Sequence, residues 1–152
     1  MFEEFAEELN KIPKYQLCIG IYSADTGRQE KIKVGLNNAE ILFINENGAP
    51  LKNIPARPVL EQTLKYAKEN LLDKTIDKAI EKYLVNFDLN AFEYELDKMC
   101  VKMENYAKKL IYDNDGAFKD NAKSTIKKKG FNHPLFETGQ LAKSITCKIE
   151  KA

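Results

Sequence analysis

The stretch that decides the fold is PVLEQTLKYAKENLLDKTIDKAIEKY, residues 58–83. Its apolar side chains recur at intervals of three and four residues, which is the spacing of one face of an α-helix. Pro58 suits the first turn of that helix, because its missing N–H would have no helical partner there. The segment therefore predicts one long amphipathic helix of roughly seven turns. Its apolar face comprises Leu60, Leu64, Ala67, Leu71, Leu72, Ile76, Ala79, Ile80 and Tyr83.

A second periodic run follows after a short break at residues 86–90. Asp88 or Asn90 is suited to cap its first turn, and Gly116 is suited to form the turn at its C-terminal end. Two long amphipathic helices with a short link predict an antiparallel helical hairpin. The apolar positions of the second run are Leu89, Phe92, Leu96, Met99, Met103, Ala107 and Leu110, with Tyr106 and Ile111 beside them.

The flanking segments predict a small sheet. Tyr15–Tyr22 is rich in β-branched and aromatic residues, residues 30–34 alternate polar and apolar, and Ser23–Gly27 supplies a turn between them. Leu141–Ile149 predicts a final strand that pairs with this hairpin. Ala39–Ile44 is too short for periodicity to distinguish a strand from a helical turn. The predicted fold class is α+β, with a small, mostly antiparallel sheet packed against the long helical hairpin.

The length of 152 residues predicts one domain. Phe2–Asn10 predicts a short acidic amphipathic helix, and Ala117–Lys129 predicts a short basic one. The domain comprises an N-terminal helix and hairpin (1–44), a proline-rich loop (45–58), a helical region (59–129), and a C-terminal loop and strand (130–152).

The charges of the chain nearly cancel but are unevenly distributed. The chain has 24 basic and 23 acidic residues and a net charge of +1. Residues 117–152 contain eight lysines against three acids, a net charge of +5, while residues 1–116 contain 16 basic and 20 acidic residues, a net charge of −4. A near-zero total with 10% aromatic residues argues against a disordered chain, and no run of about 18 apolar residues predicts a membrane span.

The residue types that carry most enzyme chemistry are scarce. His133 is the only histidine, and it stands in a loop with no metal-ligand spacing around it, so we expect it to lie at the polar surface. Cys18, Cys100 and Cys147 are too dispersed for a zinc site or a disulfide framework, so we expect reduced thiols with packing roles, Cys18 and Cys147 as strand neighbours. The seven glycines form no phosphate-binding loop. We therefore expect no enzyme, no cofactor and no metal site.

Two local motifs leave functional alternatives open. Asp25-Thr26-Gly27 matches the nucleophile signature of aspartic proteases, whose chemistry needs two carboxylates that share a proton, but its polar surroundings favour a simple hairpin turn.

The second motif is a lysine cluster flanked by Phe118 and Phe131. It could contact phosphate groups while the rings stack on bases, or it could be a solvated helix end. We accordingly keep a nucleic-acid-binding module as the alternative function. The candidate contacts to DNA or to another subunit are Lys123, Lys127, Lys128 and Lys129, with Lys119 beside them.

Two blocks of the chain resemble bacteriophage virion-morphogenesis proteins, the head–tail joining and tail-completion family. Asn45–Gly48 followed by Asn53–Leu60 is similar to that family's acidic–aromatic–Gly turn and its Ile-Pro-Ala-Arg-Pro-Phe motif. Thr125–Gly130 followed by Pro134–Ile145 is similar to Thr-Ile-x-x-Lys-Gly and then Pro-Leu-Ile-Asp-Thr-Gly-x-Leu-x-x-Ser-Ile. Order and spacing both agree, and the resemblance spans roughly residues 20–149. The departures are Asn47, Val59, Phe136 and Glu137.

The residues that carry the resemblance have physical roles in the chain. Pro55 and Pro58 fix the start of the long helix, and the planar fork of Arg57 suits a carboxylate or carbonyl groups. Thr138 is suited to cap a short turn, and Gly139 permits a left-handed backbone. The candidate motif residues are Gly48, Ile54, Pro55, Arg57, Pro58, Pro134, Leu135, Thr138, Gly139, Leu141, Ser144 and Ile145, of which Leu141 and Ile145 are expected in the core.

The resemblance implies a structural virion protein of the head–tail junction, from a phage or a prophage, that is assembled in the bacterial host cytoplasm. It implies a neck or tail-completion (terminator) protein that forms a ring, with six or twelve subunits as the expected options. Its implied partners are connector or adaptor proteins and tail-tube proteins, with DNA in the channel. Ring contacts join two different surfaces of the subunit, and oppositely charged ends of the chain would favour them.

Overall fold

The computed structural model describes residues 1–22, 35–113, 116, 118–135 and 139–152. These residues form an α+β fold, as predicted, in which long helices pack together beside a two-stranded antiparallel sheet. The elements in chain order are α1 (Phe2–Asn10), β1 (Tyr15–Gly20), α2 (Asn38–Asn47), a 3-10 turn (Pro50–Lys52), α3 (Val59–Asn70), α4 (Leu72–Asn86), α5 (Leu89–Tyr112), α6 (Lys123–Lys129), α7 (Gln140–Ser144) and β2 (Thr146–Lys151).

The predicted single helix over residues 58–83 is wrong, because α3 and α4 meet at Leu71. The backbone there departs from helical values (φ −117°, ψ −40°), although the Leu71 N–H still donates to the Ala67 carbonyl at 2.9 Å. Leu71 and Leu72 are consecutive apolar residues, which shifts the apolar stripe by one position. A change of helix direction lets both side chains pack against the cluster around Met99.

Helix α5 is the central element, and it packs against α3, α4 and the sheet. Its N-cap is Asp88, whose side chain accepts the Asn90 N–H at 2.9 Å, so the first of the two predicted caps is the one used. The helix ends at Tyr112, before Gly116, so Gly116 is not its C-terminal cap residue. The buried face of α5 comprises Phe92, Glu95, Leu96, Met99, Cys100, Met103, Ala107 and Ile111.

The two described strands pair antiparallel, with Tyr15 opposite Lys151 and Gly20 opposite Thr146. The prediction that the closing strand pairs with the N-terminal segment is therefore confirmed. The prediction that it begins at Leu141 is wrong, because Gln140–Ser144 forms α7. The buried residues Leu141, Ala142, Ser144 and Ile145 follow helical spacing rather than the alternation of a strand. The predicted turn and second hairpin strand (23–34) lie outside the described residues.

Two carboxylates of α5 join this helix to the sheet. Glu93 accepts a hydrogen bond from the Tyr15 hydroxyl at 2.6 Å and lies 3.1 Å from the Lys151 ammonium, so it contacts both members of the last strand pair. Further along α5, Glu104 accepts the backbone N–H of Cys147 at 2.8 Å. The helix therefore supports the sheet by polar contacts as well as by packing.

α1 has the predicted bounds, Phe2–Asn10, whereas the other short helices differ from the predictions. The ambiguous segment Ala39–Ile44 belongs to α2, which has a capping box in which Asn37 and Glu40 bond each other's backbone N–H groups. Of the predicted basic helix Ala117–Lys129, the described residues are helical only at Lys123–Lys129. No helix in the described ranges is both long enough and apolar enough to cross a membrane.

Among the described residues, the core consists of three apolar clusters that follow one another along α5. The first lies at the N-terminal end of α5 around Phe92 and Tyr83, and the last lies at its C-terminal end around Ile111, Leu141 and Ile145. α1 is attached beside the first cluster, where the Tyr83 hydroxyl donates to the Glu8 carbonyl at 3.2 Å. The molecule thus has an α1 end and an opposite end formed by α2, α6 and α7.

Candidate functional site

The two sequence blocks that carry the resemblance meet at the end of the molecule opposite α1. They line a cavity of about 370 Å³ between α2, the loop before α3, and α6. We call this cavity the motif groove. The first block contributes Ile54, Pro55 and Arg57, and the second contributes Lys129, Leu135 and Leu141.

Arg57 joins the first block to the chain that follows α5. Its guanidinium donates from Nε to the Lys119 carbonyl and from Nη2 to the Asp120 carbonyl, both at 3.0 Å. The prediction that its planar fork bonds carbonyl groups is confirmed. The residue is buried, and burial lowers the pKa of the guanidinium. An arginine keeps its charge despite such a shift, so this buried cation relies on the two carbonyl contacts.

Gly48 allows the loop before α3 to fold back on itself. Its backbone has φ +73° and ψ 174°, a conformation that essentially only glycine adopts. A Cβ at this position would lie 2.8 Å from the Ala56 nitrogen and 3.0 Å from the Ile54 oxygen. Both the torsion and the close backbone approach therefore require glycine.

Glu46 caps α3 from a distance, which the sequence reasoning did not anticipate. Its carboxylate accepts the Leu60 N–H at 3.0 Å and the Glu61 N–H at 2.7 Å. Pro58 is the N-cap residue, one position before the helix, and has no side chain able to cap it. The acidic residue of the first block thus fills that role, and no local spacing rule reveals a cap 14 residues away.

Among its described residues, the second block lines the motif groove only through Thr125, Lys129, Leu135 and Leu141, and the others shape the adjoining chain. Gly139 has the expected left-handed backbone (φ +76°) and is the N-cap residue before α7, while Leu141 and Ile145 are buried, as expected. The Ser144 hydroxyl donates to the Leu141 carbonyl at 2.8 Å. Pro134 is fully buried, and Leu135 has a positive φ of 62°. Thr138 lies outside the described residues, as does Asp25-Thr26-Gly27.

His133 is not the free surface residue that its loop position suggests. Its Nε2 atom lies 2.7 Å from the Ile111 carbonyl oxygen, and since a carbonyl only accepts, this nitrogen carries the proton. The ring therefore bonds one of the last carbonyls of α5 and is half-buried. Helix ends leave such carbonyls without helical partners, but the sequence separation of 22 residues hides the pairing.

The lysines of α6 divide into two groups. Lys123, Lys127 and Lys128 are exposed, whereas Lys129 is half-buried, lines the motif groove and lies 6.0 Å from the centre of the Phe131 ring. Phe118, expected as a stacking partner for bases, is buried in the core and cannot stack on them.

A second basic surface was missed by the sequence reasoning. Lysines from α4 and α5 face each other around the buried carboxylate of Glu95, whose oxygen lies 3.1 Å from Lys98 and 3.7 Å from Lys78. Burial raises the pKa of Glu95, but the hydrogen bond from Lys98 and the nearby lysine charges outweigh burial, so the pKa lies below its ordinary value. Spacing within each helix shows a lysine stripe, but only the helix packing brings the two stripes together. The surface comprises Lys74, Lys78, Lys82, Lys98 and Lys102.

Cys18 and Cys147 lie on paired strands, as expected, but one register position apart. Cys147 lies opposite Ile19 in the sheet, not opposite Cys18. Its thiol instead lies against the Cys100 thiol of α5, with which it shares a hydrogen bond, and both residues are buried and free. Hydrogen bonding to Cys147 and burial raise the pKa of the Cys100 thiol. The pair packs the sheet on α5, which agrees with the expected packing role.

Among the described residues no group of three or more His, Cys, Asp or Glu side chains is arranged to hold a metal ion. No family model, curated protein or solved structure matches this chain.

Proposed function

We propose that this chain is a structural protein of a phage or prophage head–tail junction, a neck or tail-completion protein that acts by ring assembly. The observation that carries the proposal is that the two blocks with the family resemblance form one groove. Arg57 of the first block bonds the carbonyls of Lys119 and Asp120, 62 and 63 positions later, which lie a few residues before the second block. Residues with a shared structural role are expected to meet in this way, which supports the resemblance as more than a coincidence of short motifs.

The charge distribution supports self-assembly as the mode of action. Acidic α1, with Glu3, Glu4, Glu7 and Glu8, lies at one end of the molecule, and basic α6 lies at the other. A ring requires a contact between two different surfaces of neighbouring subunits. Opposite charges on those surfaces favour the correct orientation and raise the rate of association.

The direct test is inactivation of the gene in the phage or prophage that encodes it. We expect separate heads and tails in negative-stain electron micrographs, and joined particles when the wild-type gene is supplied in trans. Infectious particles of normal form that lack the protein by mass spectrometry would contradict the proposal.

The charge hypothesis is tested by complementation with a triple variant. Lys123→Glu, Lys127→Glu and Lys128→Glu together should reduce the yield of joined particles. The matched control is Lys52→Glu, Lys65→Glu and Lys68→Glu, a triple reversal at exposed positions in the 3-10 turn and α3. Equal yields from the two variants would show that the charge of α6 is not used.

Nucleic-acid binding is the second candidate, and the paired lysine surface of α4 and α5 favours it. Its five lysines surround one glutamate, a net charge of +4 for these six side chains, although α4 and α5 each contain as many acidic as basic residues overall. If this surface contacts phosphates, DNA affinity should fall steeply with salt concentration. Lys74→Gln with Lys102→Gln should then weaken DNA binding. It should also reduce the dependence of the binding constant on salt concentration by the amount expected for about two lost phosphate contacts. The absence of measurable DNA binding in low salt would exclude this candidate.

A further inference from the structure

Helix α1 presents an apolar face that has no cover in the described part of the chain. Phe2 is 90% exposed and Phe5 is 42% exposed, and α1 has no buried residue. Phe2, Phe5 and Leu9 stand at spacings of three and four residues, so they form one stripe along the helix. Glutamates flank the stripe at Glu3, Glu4, Glu7 and Glu8. Such a helix has the form of a ligand for an apolar groove with a basic rim.

The motif groove has the complementary chemistry. Its volume of about 370 Å³ is within the range of about 300–1,000 Å³ for pockets that hold ligands. One wall is the face of α6 that carries Thr125 and Lys129, and the exposed lysines of α6 lie next to it. Apolar side chains make up most of the lining, including Leu36, Ile41, Ile44, Ile54, Leu135 and Leu141.

The groove is out of reach of the α1 helix of the same chain. α1 is anchored beside Phe92 through Ile12 and Tyr83, whereas the groove lies beside the cluster of Ile111 and Leu141. Phe92 and Ile111 are 19 residues apart in one helix, or about 28 Å, while the nine residues of α1 span only about 14 Å. The α1 helix can therefore enter this groove only from another copy of the chain.

We infer that α1 of one copy docks in the motif groove of the next copy, with Phe2 and Phe5 as its anchors. The glutamates of α1 then face the lysines of α6. This contact joins opposite ends of two subunits, so it repeats from copy to copy and gives the self-assembly on which the proposed function rests. A single short helix buries less than the roughly 800 Å² per partner of a standard interface, so the contact is weak until a ring closes.

Photo-cross-linking of the full chain locates the contact. A benzoylphenylalanine in place of Phe2 should cross-link two copies at concentrations up to about 0.5 mM, as suits a small interface. Mass spectrometry should place the cross-links in residues 35–57 or 118–135, or at Leu141, the segments that line the groove. The matched control carries the same group at Tyr94, an exposed aromatic of α5. Cross-links to any other surface, or within one chain, would overturn the inference. The absence of any cross-link would overturn it too.

Mixing two variants tests the head-to-tail geometry. Phe2→Ser with Phe5→Ser removes the anchors, and Thr125→Trp fills the groove, so each variant alone should associate at least about tenfold more weakly than the wild type. The mixture should form dimers by sedimentation, since one partner keeps its helix and the other keeps its groove. Ser124→Trp, a neighbour outside the groove lining, is the control and should associate normally. A mixture that stays monomeric would overturn the inference.

A second pair of variants covers the case in which Thr125→Trp does not fold. Glu3→Lys, Glu4→Lys and Glu7→Lys should abolish association, as should Lys123→Glu, Lys127→Glu and Lys128→Glu, while the two triple variants mixed together should regain it. If the mixture does not regain association, the docking contact is wrong, but the proposed function is not thereby contradicted. The proposed function is judged separately by particle morphology after gene inactivation, so the two failures are distinguishable.

Discussion

The helical body and the motif groove are held together by different kinds of contact. In the body, α5 packs against α3, α4 and the sheet along one continuous apolar face. At the groove, beside the apolar cluster around Ile111, a few polar or steric contacts join separate segments of the chain, at Gly48, Arg57, Glu46 and His133. Stability in the body is spread over many side chains, whereas at the groove one substitution removes a whole connection. The groove should therefore be the more sensitive region to small changes.

Gly48→Ala should have the largest effect. The new Cβ would lie 2.8 Å from a backbone nitrogen, in a conformation that alanine strongly disfavours. We expect a loss of about 3–5 kcal/mol in the free energy of unfolding, from the backbone strain and the overpacking together. Urea denaturation followed by circular dichroism measures this loss.

The matched control is Gly130→Ala. Gly130 also has a positive φ, +84°, but a Cβ there would meet no atom within 4 Å. We expect a loss of only about 1 kcal/mol from the left-handed backbone. If the two variants lose the same free energy, the close approach of Gly48 to Ala56 does not constrain the loop.

Arg57→Lys should have the next largest effect. Lysine keeps the charge but loses the planar fork that bonds the Lys119 and Asp120 carbonyls together. We expect a loss of about 2 kcal/mol, since hydrogen bonds to charged groups contribute about 1.5–3 kcal/mol each and lysine retains part of one. Thermal or urea unfolding measures the loss, and Lys119→Ala, which keeps the carbonyl, should stay within about 0.5 kcal/mol of the wild type. If Arg57→Lys leaves the free energy of unfolding unchanged, other contacts join the loop before α3 to the chain at Lys119 and Asp120.

Glu46→Gln should cost about 1 kcal/mol. The amide can accept only one of the two N–H groups of α3, and the favourable interaction of the charge with the helix dipole is lost. Glu61→Gln, an exposed residue in the first turn of the same helix, is the control for the dipole effect alone. We expect Glu61→Gln to lower the free energy of unfolding by less than about 0.5 kcal/mol. Equal losses for the two variants would mean that the hydrogen bonds of Glu46 to α3 do not contribute to stability.

The same contrast explains how much of the structure the sequence could predict. The spacing of apolar residues predicts α1 and α5 closely, and Asp88 signals its cap, because these features depend on neighbours within one or two turns. The break at Leu71 was missed because a stripe that shifts by one residue still fits an average helix period. α7 was missed because five residues are too few to show a helical period.

The groove was the least predictable region, because its contacts join distant residues. The fork geometry of Arg57 predicts carbonyl or carboxylate partners, and the structure supplies carbonyls, but nothing near Arg57 in the sequence points to Lys119 or Asp120. Glu46 and His133 likewise complete helix ends 14 and 22 residues away. In the sequence, only the resemblance relates the two blocks to each other, and it gives no physical reason for a contact between them.

The smallest effect is expected in the body, at Glu93. The hydrogen bond from Tyr15 and the contact with Lys151 lower the pKa of Glu93 below its ordinary value of 4.5, while burial and the same hydrogen bond raise the pKa of Tyr15. A carboxylate with a lowered folded-state pKa stabilises the fold above its unfolded-state pKa, and that contribution is lost as the pH falls through the folded-state value. Glu93→Gln should therefore cost about 0.5–1 kcal/mol at pH 7, because the side chain is partly exposed and the amide still accepts one bond.

In acid the protonated Glu93 and the amide of the Glu93→Gln variant have nearly the same shape and charge. The difference in the free energy of unfolding between wild type and variant should therefore shrink as the pH falls below 4.5, the ordinary value for this carboxyl group, in urea titrations at matched ionic strength. Glu81→Gln, at an exposed position of α4, should change the free energy by less than about 0.5 kcal/mol at either pH. A loss for Glu93→Gln that is as large as that for Arg57→Lys, or that persists in acid, would mean that the body also depends on single polar connections, and the contrast between body and groove would fail.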